Sequence, residues 1–220
     1  TLAPDSKKVY YSGIYATKTD DGNQLNWKLV GHLPEPLAYG VTVTCDNSMI
    51  VVGGMNNDGS YGKVYRVTLV DGKAEVSTLP SMPCSVDNMA GALVGKHLYI
   101  AGGAMDGKAS NRVLRLDLDN ISAGWKDIKS FPGMVRVQPV AGCMGDNRFC
   151  LFGGFAPAAN GEEAKLSMDG CVYDETTDEW ELVEGPKDDQ GEPLFVGGGT
   201  DINLTKDQLL VMGGVNKDVF

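Results

Sequence analysis

Four diglycines, Gly53-Gly54, Gly102-Gly103, Gly153-Gly154 and Gly213-Gly214, recur at intervals of 49, 51 and 60 residues, and each closes a short apolar run. The runs are Met49–Val52, Leu98–Ala101, Phe149–Phe152 and Leu209–Met212. Upstream of each diglycine, by 19, 22, 21 and 27 residues, stands a proline: Pro34, Pro80, Pro132 and Pro186. Between proline and diglycine lies a second run rich in small residues, over 39–44, 89–94, 138–144 and 196–202. A chain that repeats itself at such a period folds as copies of one supersecondary unit, each covering the apolar face of its neighbour.

The two runs of each unit are joined by Asp46-Asn47, Gly95-Lys96, Asp146-Asn147 or Lys206-Asp207, residues that tolerate tight-turn geometry, so each pair reads as a hairpin. After the diglycine come a polar loop and an alternating strand, such as Val64-Tyr65-Arg66-Val67, Val113-Leu114-Arg115-Leu116 or Cys171-Val172-Tyr173-Asp174. A fourth, outer strand carries Trp27-Lys28-Leu29, Val76-Ser77-Thr78-Leu79, Trp125-Lys126-Asp127-Ile128 or Trp180-Glu181-Leu182. Four strands per repeat of about 50 residues predict an all-β fold, a kelch-type β-propeller of four-stranded blades. The expected division is a half blade over 1–33, blades over about 34–80, 81–132 and 133–186, and a half blade over 187–220. The N-terminal half lacks the first two strands of a blade and the C-terminal half supplies two such strands. The ends either pair and close a four-bladed ring, or the chain belongs to a longer one. Kelch-type rings need roughly 300 residues, which favours part of a six-bladed ring with two open edges.

The diglycines read as structural, because the chain leaving the second strand turns where φ is positive or a Cβ would clash. None lies in a Gly-x-Gly-x-x-Gly or Walker-type loop, so nucleotide binding finds no support. No 3.6-residue apolar period is sustained; the best helical stretch, 161–166, is a loop insertion. No apolar segment approaches the roughly 18 residues that span a membrane. With 29 acidic and 19 basic side chains the net charge is −10, which disfavours nucleic acid and acidic membranes. The five cysteines, Cys45, Cys84, Cys143, Cys150 and Cys171, fall mostly inside strands and read as buried small residues. His32 and His97 are far apart and there is no Cys-x-x-Cys, so neither a metal nor another cofactor is expected. The chain opens Thr1-Leu2-Ala3-Pro4 with neither methionine nor signal peptide, which reads as a processed or trimmed start.

The segments Leu37-Ala38-Tyr39-Gly40-Val41, Val51-Val52-Gly53-Gly54 and Gly62 to Val67 resemble the last blade of the bacterial N-acetylneuraminate epimerases, the kelch-type sialic acid mutarotases. Phe131-Pro132-Gly133 with Arg136 and Gln138, then Leu151-Phe152-Gly153-Gly154, resembles their first complete blade. Val211-Met212-Gly213-Gly214-Val215-Asn216 with Val219-Phe220 is similar to the start of a later blade, so the order is that of the cyclically permuted branch. The resemblance implies an isomerase that interconverts anomers of N-acetylneuraminic acid by acid/base ring opening and closure. It implies a periplasmic or secreted protein whose partner is a small sugar acid, with association through open edges a further option. The competing reading is a non-catalytic kelch scaffold that presents one face to a protein. A copper radical oxidase is a remote third, because the histidines are poorly placed.

Strand alternation puts the loops before each first strand and after each diglycine on one face, where a site would collect. Arg136 is expected to point to the axis and hold a carboxylate, against the alternative of a salt bridge to a neighbouring blade. Asp87, the one carboxylate directly beside an inner strand, is the candidate acid or base. Tyr39, Asn56, Asn88, Gln138 and Asn216 are the candidate sugar contacts, each with a structural alternative in loop hydrogen bonding or packing.

Overall fold

The computed structural model describes residues 7–18, 25–159, 161–205, 208–212 and 214. Three four-stranded antiparallel meanders dominate. The first blade comprises Val41–Cys45, Ser48–Val52, Val64–Val70 and Lys73–Leu79; the second, Ala90–Val94, His97–Ala101, Val113–Asp117 and Lys126–Ile128. The third comprises Val140–Met144, Arg148–Phe152, Asp169–Asp174 and Glu179–Glu184. In each, the strands hydrogen-bond in sequence order. Gly13–Ala16 pairs with Lys28–His32, and Thr200–Thr205 with Gln208–Met212, as two separate two-stranded sheets. The first strands of successive sheets lie side by side, which is the arrangement of propeller blades about an axis.

The alternation of the inner strands explains the packing. Val41, Val43 and Cys45 are buried between exposed Thr42 and Thr44, and Ala90, Ala92 and Val94 alternate in the same way. Between the first and second blades the core holds Ile50, Val52, Leu98, Ile100, Leu114 and Leu116; between the second and third it holds Tyr99, Phe131, Phe149, Leu151, Cys171 and Tyr173. The tryptophans tie outer strands to inter-blade linkers: Trp125 Nε1 donates to the Pro80 carbonyl and Trp180 Nε1 to that of Lys129, both at 2.8 Å. Trp27 precedes its strand and is mostly exposed.

Three details depart from the sequence reading. The third blade's hairpin turns on three residues, Gly145–Asn147, because Met144 pairs with Arg148. The 161–166 stretch forms no described helix; Lys165–Leu166 pairs instead with Phe155–Ala156. A 3-10 turn appears at Ile121–Ala123. The Lys206-Asp207 turn lies outside the described residues.

All five cysteines are free, and all but Cys143 are buried. Burial pushes the Cys150 and Cys171 thiols up to about 12. Both should therefore resist iodoacetamide at pH 8 in the native protein and react once urea unfolds it. Peptide mass mapping of the two alkylated states checks this, and native labelling of either residue would contradict the packing described.

Candidate functional site

Aligning the repeats on their diglycines brings Tyr39, Asn88, Gln138 and Gly198 into register, 14, 14, 15 and 15 residues before Gly53, Gly102, Gly153 and Gly213. Each is the middle residue of the segment leading into a first strand. Each has positive φ: 60° at Tyr39, 52° at Asn88, 53° at Gln138 and 63° at Gly198. Their backbones join blade to blade around the axis. The Asn88 amide donates to the Tyr39 carbonyl at 2.9 Å, that of Gln138 to Asn88 at 2.7 Å, and that of Gly198 to Gln138 at 2.8 Å.

The left-handed backbone is free for glycine and tolerable for asparagine, but it costs tyrosine and glutamine of the order of 1 kcal/mol each. Gly198 shows what the backbone alone prefers. Side chains kept at the other three positions against that cost are the mark of a site rather than of a packing solution. With Gly40, Met89, Pro139, Gly197, Gly199 and Gly214 they line a cavity of about 380 Å³ at the axis.

The polar groups around it are linked. Gln138 Nε2 donates to Asn88 Oδ1 at 3.1 Å, and Asn88 Nδ2 to Asp87 Oδ1 at 2.6 Å. Asp87 is 7% exposed, and its other oxygen receives the Ser60 hydroxyl from the loop after the first diglycine. Asp87 therefore stands behind the cavity wall and reaches it through Asn88. Tyr39 is 41% exposed, and the Lys8 ammonium lies 5.0 Å from its ring centre. A hydrogen bond to the Tyr39 side chain holds the lysine pKa above its ordinary value.

Two expected contacts lie elsewhere. Asn56 is 7% exposed and spends its polar atoms on its own loop: Nδ2 donates to the Pro36 carbonyl, while Oδ1 accepts from the Asp58 amide and the Tyr61 hydroxyl. Arg136 does not point to the axis. It is 1% exposed, its Nη2 is 2.9 Å from Asp169 Oδ1, its Nη1 donates to the Gly153 carbonyl at 3.2 Å, and its guanidinium lies over the Phe131 ring. The salt bridge is to its own blade's third strand rather than to a neighbouring blade. Asn216 lies outside the described residues.

The repeat explains Arg136. It stands two residues before Gln138, where Val86 stands before Asn88 and Val196 before Gly198. The carbonyls of these three residues accept the amides of Gly103, Gly54 and Gly154, each at 2.8 Å. Their side chains are all buried between blades. Its partner Asp169 matches Lys63 and Arg112 of the other blades, whose carbonyls also accept from the first glycine of the diglycine. Lys63 pairs with Glu35 and Arg112 with Asp127. The third blade keeps the ion pair and reverses its polarity, which places the cation in the slot that valine fills elsewhere.

Sequence reasoning missed Gly198, Ser60 and Lys8. The equal spacing to the diglycines would have found Gly198; the other two are set by tertiary contact alone.

The family model described as N-acetylneuraminate epimerase matches residues 79–220 of this chain. A kelch domain-containing protein of Vibrio cholerae is 29% identical over 142 residues, covering 64% of this chain and 37% of that protein. N-acetylneuraminate epimerases of Yersinia enterocolitica and Haemophilus influenzae are 30% and 29% identical, over 67% and 60% of this chain and 35% and 36% of theirs. The chain thus spans little more than a third of the length of these curated relatives.

Proposed function

We propose, from the premise that this chain belongs to the N-acetylneuraminate epimerase family, that it contributes to a sialic acid mutarotase, with the axial cavity as the place where the sugar acid binds. The observation that carries the reading is the set of three strained, non-glycine residues around that cavity in a chain of this family. The reaction needs little. A base removes the proton of the anomeric hydroxyl while an acid protonates the ring oxygen, the ring C–O bond breaks to give the open keto form, and reclosure on the other face returns both protons.

What this chain offers is positioning. The second N–H of Asn88 and that of Gln138 suit sugar hydroxyls, and the exposed Tyr39 ring suits an apolar sugar face. With Arg136 engaged in its ion pair, Lys8 is the cation beside Tyr39 that suits the substrate carboxylate. Such a protein would meet its substrate in the periplasm or outside the cell.

The test follows anomer exchange of freshly dissolved N-acetylneuraminate by proton NMR, with and without the 220-residue chain. Acceleration is expected, and Gln138→Gly should reduce it about tenfold or more while leaving the melting temperature unchanged or higher, since glycine relieves the left-handed strain. A Gln138→Gly protein that melts early yet exchanges the anomers at the wild-type rate would assign Gln138 to structure. No acceleration by the wild-type chain would locate the acid and base outside it.

A further inference from the structure

Asp87 is the buried carboxylate nearest the axial cavity, yet it does not face it. We propose that Asp87 is a positioning residue: it fixes the direction of the chain Gln138 to Asn88 to Asp87, and so turns the Oε1 acceptor of Gln138 toward a hydrogen-bond donor, hydroxyl or amide N–H, of a sugar in the cavity. The inference rests on the reading of that cavity as the sugar site.

An ionised carboxylate only accepts, whereas a carboxamide donates from one end and accepts at the other. Asp87 Oδ2 is held by the Ser60 hydroxyl, and Oδ1 lies 2.6 Å from Asn88 Nδ2. Asn88 must therefore present its NH2 to Asp87 and its Oδ1 away from it. That oxygen in turn demands a donor, and Gln138 Nε2 supplies it at 3.1 Å. The orientation of Gln138 follows without choice: its nitrogen faces Asn88 and its Oε1 faces Gly198, where an added Cβ would come within 3.3 Å of it. Among the described residues that oxygen receives no hydrogen bond. The chain crosses three blades, from the loop of the first through the lead-in segments of the second and third. One buried charge thereby sets the polarity of two amides that line the cavity from separate sheets.

Without that charge the polarity has no fixed sense. An asparagine at 87 can turn either end toward Asn88, and both amides can flip together at little cost. Asp87→Asn keeps size and removes only the charge. Its readout is the side-chain NH2 resonances of Asn88 and Gln138 in 1H–15N spectra, with the strand amides of Ala90–Val94 as the reference for an intact blade. Wild type should give one sharp NH2 pair for each residue, and Asp87→Asn should split or broaden both while the strand amides stay in place. On titration with N-acetylneuraminate, the wild-type Gln138 pair should move, and Asp87→Asn should bind about tenfold more weakly.

Unchanged Asn88 and Gln138 pairs in Asp87→Asn would overturn the positioning role, whatever the sugar does. Altered pairs with no sugar-dependent shift at Gln138 in the wild type would overturn the acceptor role and the cavity assignment with it. Should Asp87→Asn fail to fold, Ser60→Ala makes the same comparison, because it frees one carboxylate oxygen and leaves the strands untouched.

Discussion

Replacing Gly103 by alanine is expected to lower stability by about 3 kcal/mol, whereas the same change at Gly107, four residues on, should cost about 1 kcal/mol. Both glycines have left-handed φ, +79° at Gly103 and +77° at Gly107, so the backbone penalty for a β-carbon is shared. What differs is the space. A Cβ at Gly103 would fall 2.5 Å from the Asp87 carbonyl oxygen, 2.6 Å from Met89 Cβ and 2.7 Å from the Met89 amide, while one at Gly107 meets nothing within 4 Å. None of the three Gly103 neighbours is the far end of a flexible side chain, so relief requires the 87–89 backbone to move. For a domain of this size the difference corresponds to about 6 °C in melting temperature, read by calorimetry or urea unfolding. Because 87–89 carries Asn88, Gly103→Ala should also disturb the Asn88–Gln138 link at the axis. Equal losses at the two positions would mean that the diglycine is conserved in the repeat for its φ alone and not for the close approach.

That contrast bears on how much of the molecule could be read from its sequence. The strand–diglycine recurrence revealed the all-β blade because its physical cause is local and strict: each second strand ends against a carbonyl, and only glycine leaves room. A Cβ at Gly53, Gly102 or Gly153 would lie 2.7, 2.7 or 1.9 Å from the carbonyl oxygen of Val86, Arg136 or Val196 in the following lead-in segment. The residues of the axial cavity were legible for a related reason, since Tyr39, Asn88 and Gln138 immediately precede small-residue strands that had to be innermost. Side-chain direction within the lead-in segment was not legible. Two residues separate Arg136 from Gln138, and the left-handed residue breaks the simple strand alternation that would otherwise predict which way each points. Only the comparison with Val86 and Val196 reveals an apolar slot at that position. Asn56 misled for a different reason: in a polar loop after a diglycine, an asparagine that caps its own turn and one that greets a ligand look the same in sequence.

The reassignment of Arg136 has a consequence that separates its two readings. If the guanidinium served as the carboxylate anchor, then alanine and methionine at 136 would both cripple substrate binding and neither would need to affect folding. As an inter-blade residue it behaves otherwise. Arg136→Ala removes packing against Phe131, the bond to the Gly153 carbonyl and the partner of Asp169, and should cost about 3 kcal/mol, or about 9 °C. Asp169 is 51% exposed on its side chain, so water can take over its hydration and the loss stays below that of a fully buried orphaned charge. Arg136→Met keeps most of the volume and matches the apolar side chains of Val86 and Val196, so it should recover more than half of the stability that alanine loses. Adding Asp169→Asn to Arg136→Met should cost little more, because the carboxylate then has no ion pair to lose. In all three proteins the KM for N-acetylneuraminate, measured below the melting transition, should stay within about twofold of wild type. A methionine variant that melts like wild type but loses affinity for the sugar acid would restore Arg136 to the site and remove Lys8 as the cation that meets the carboxylate.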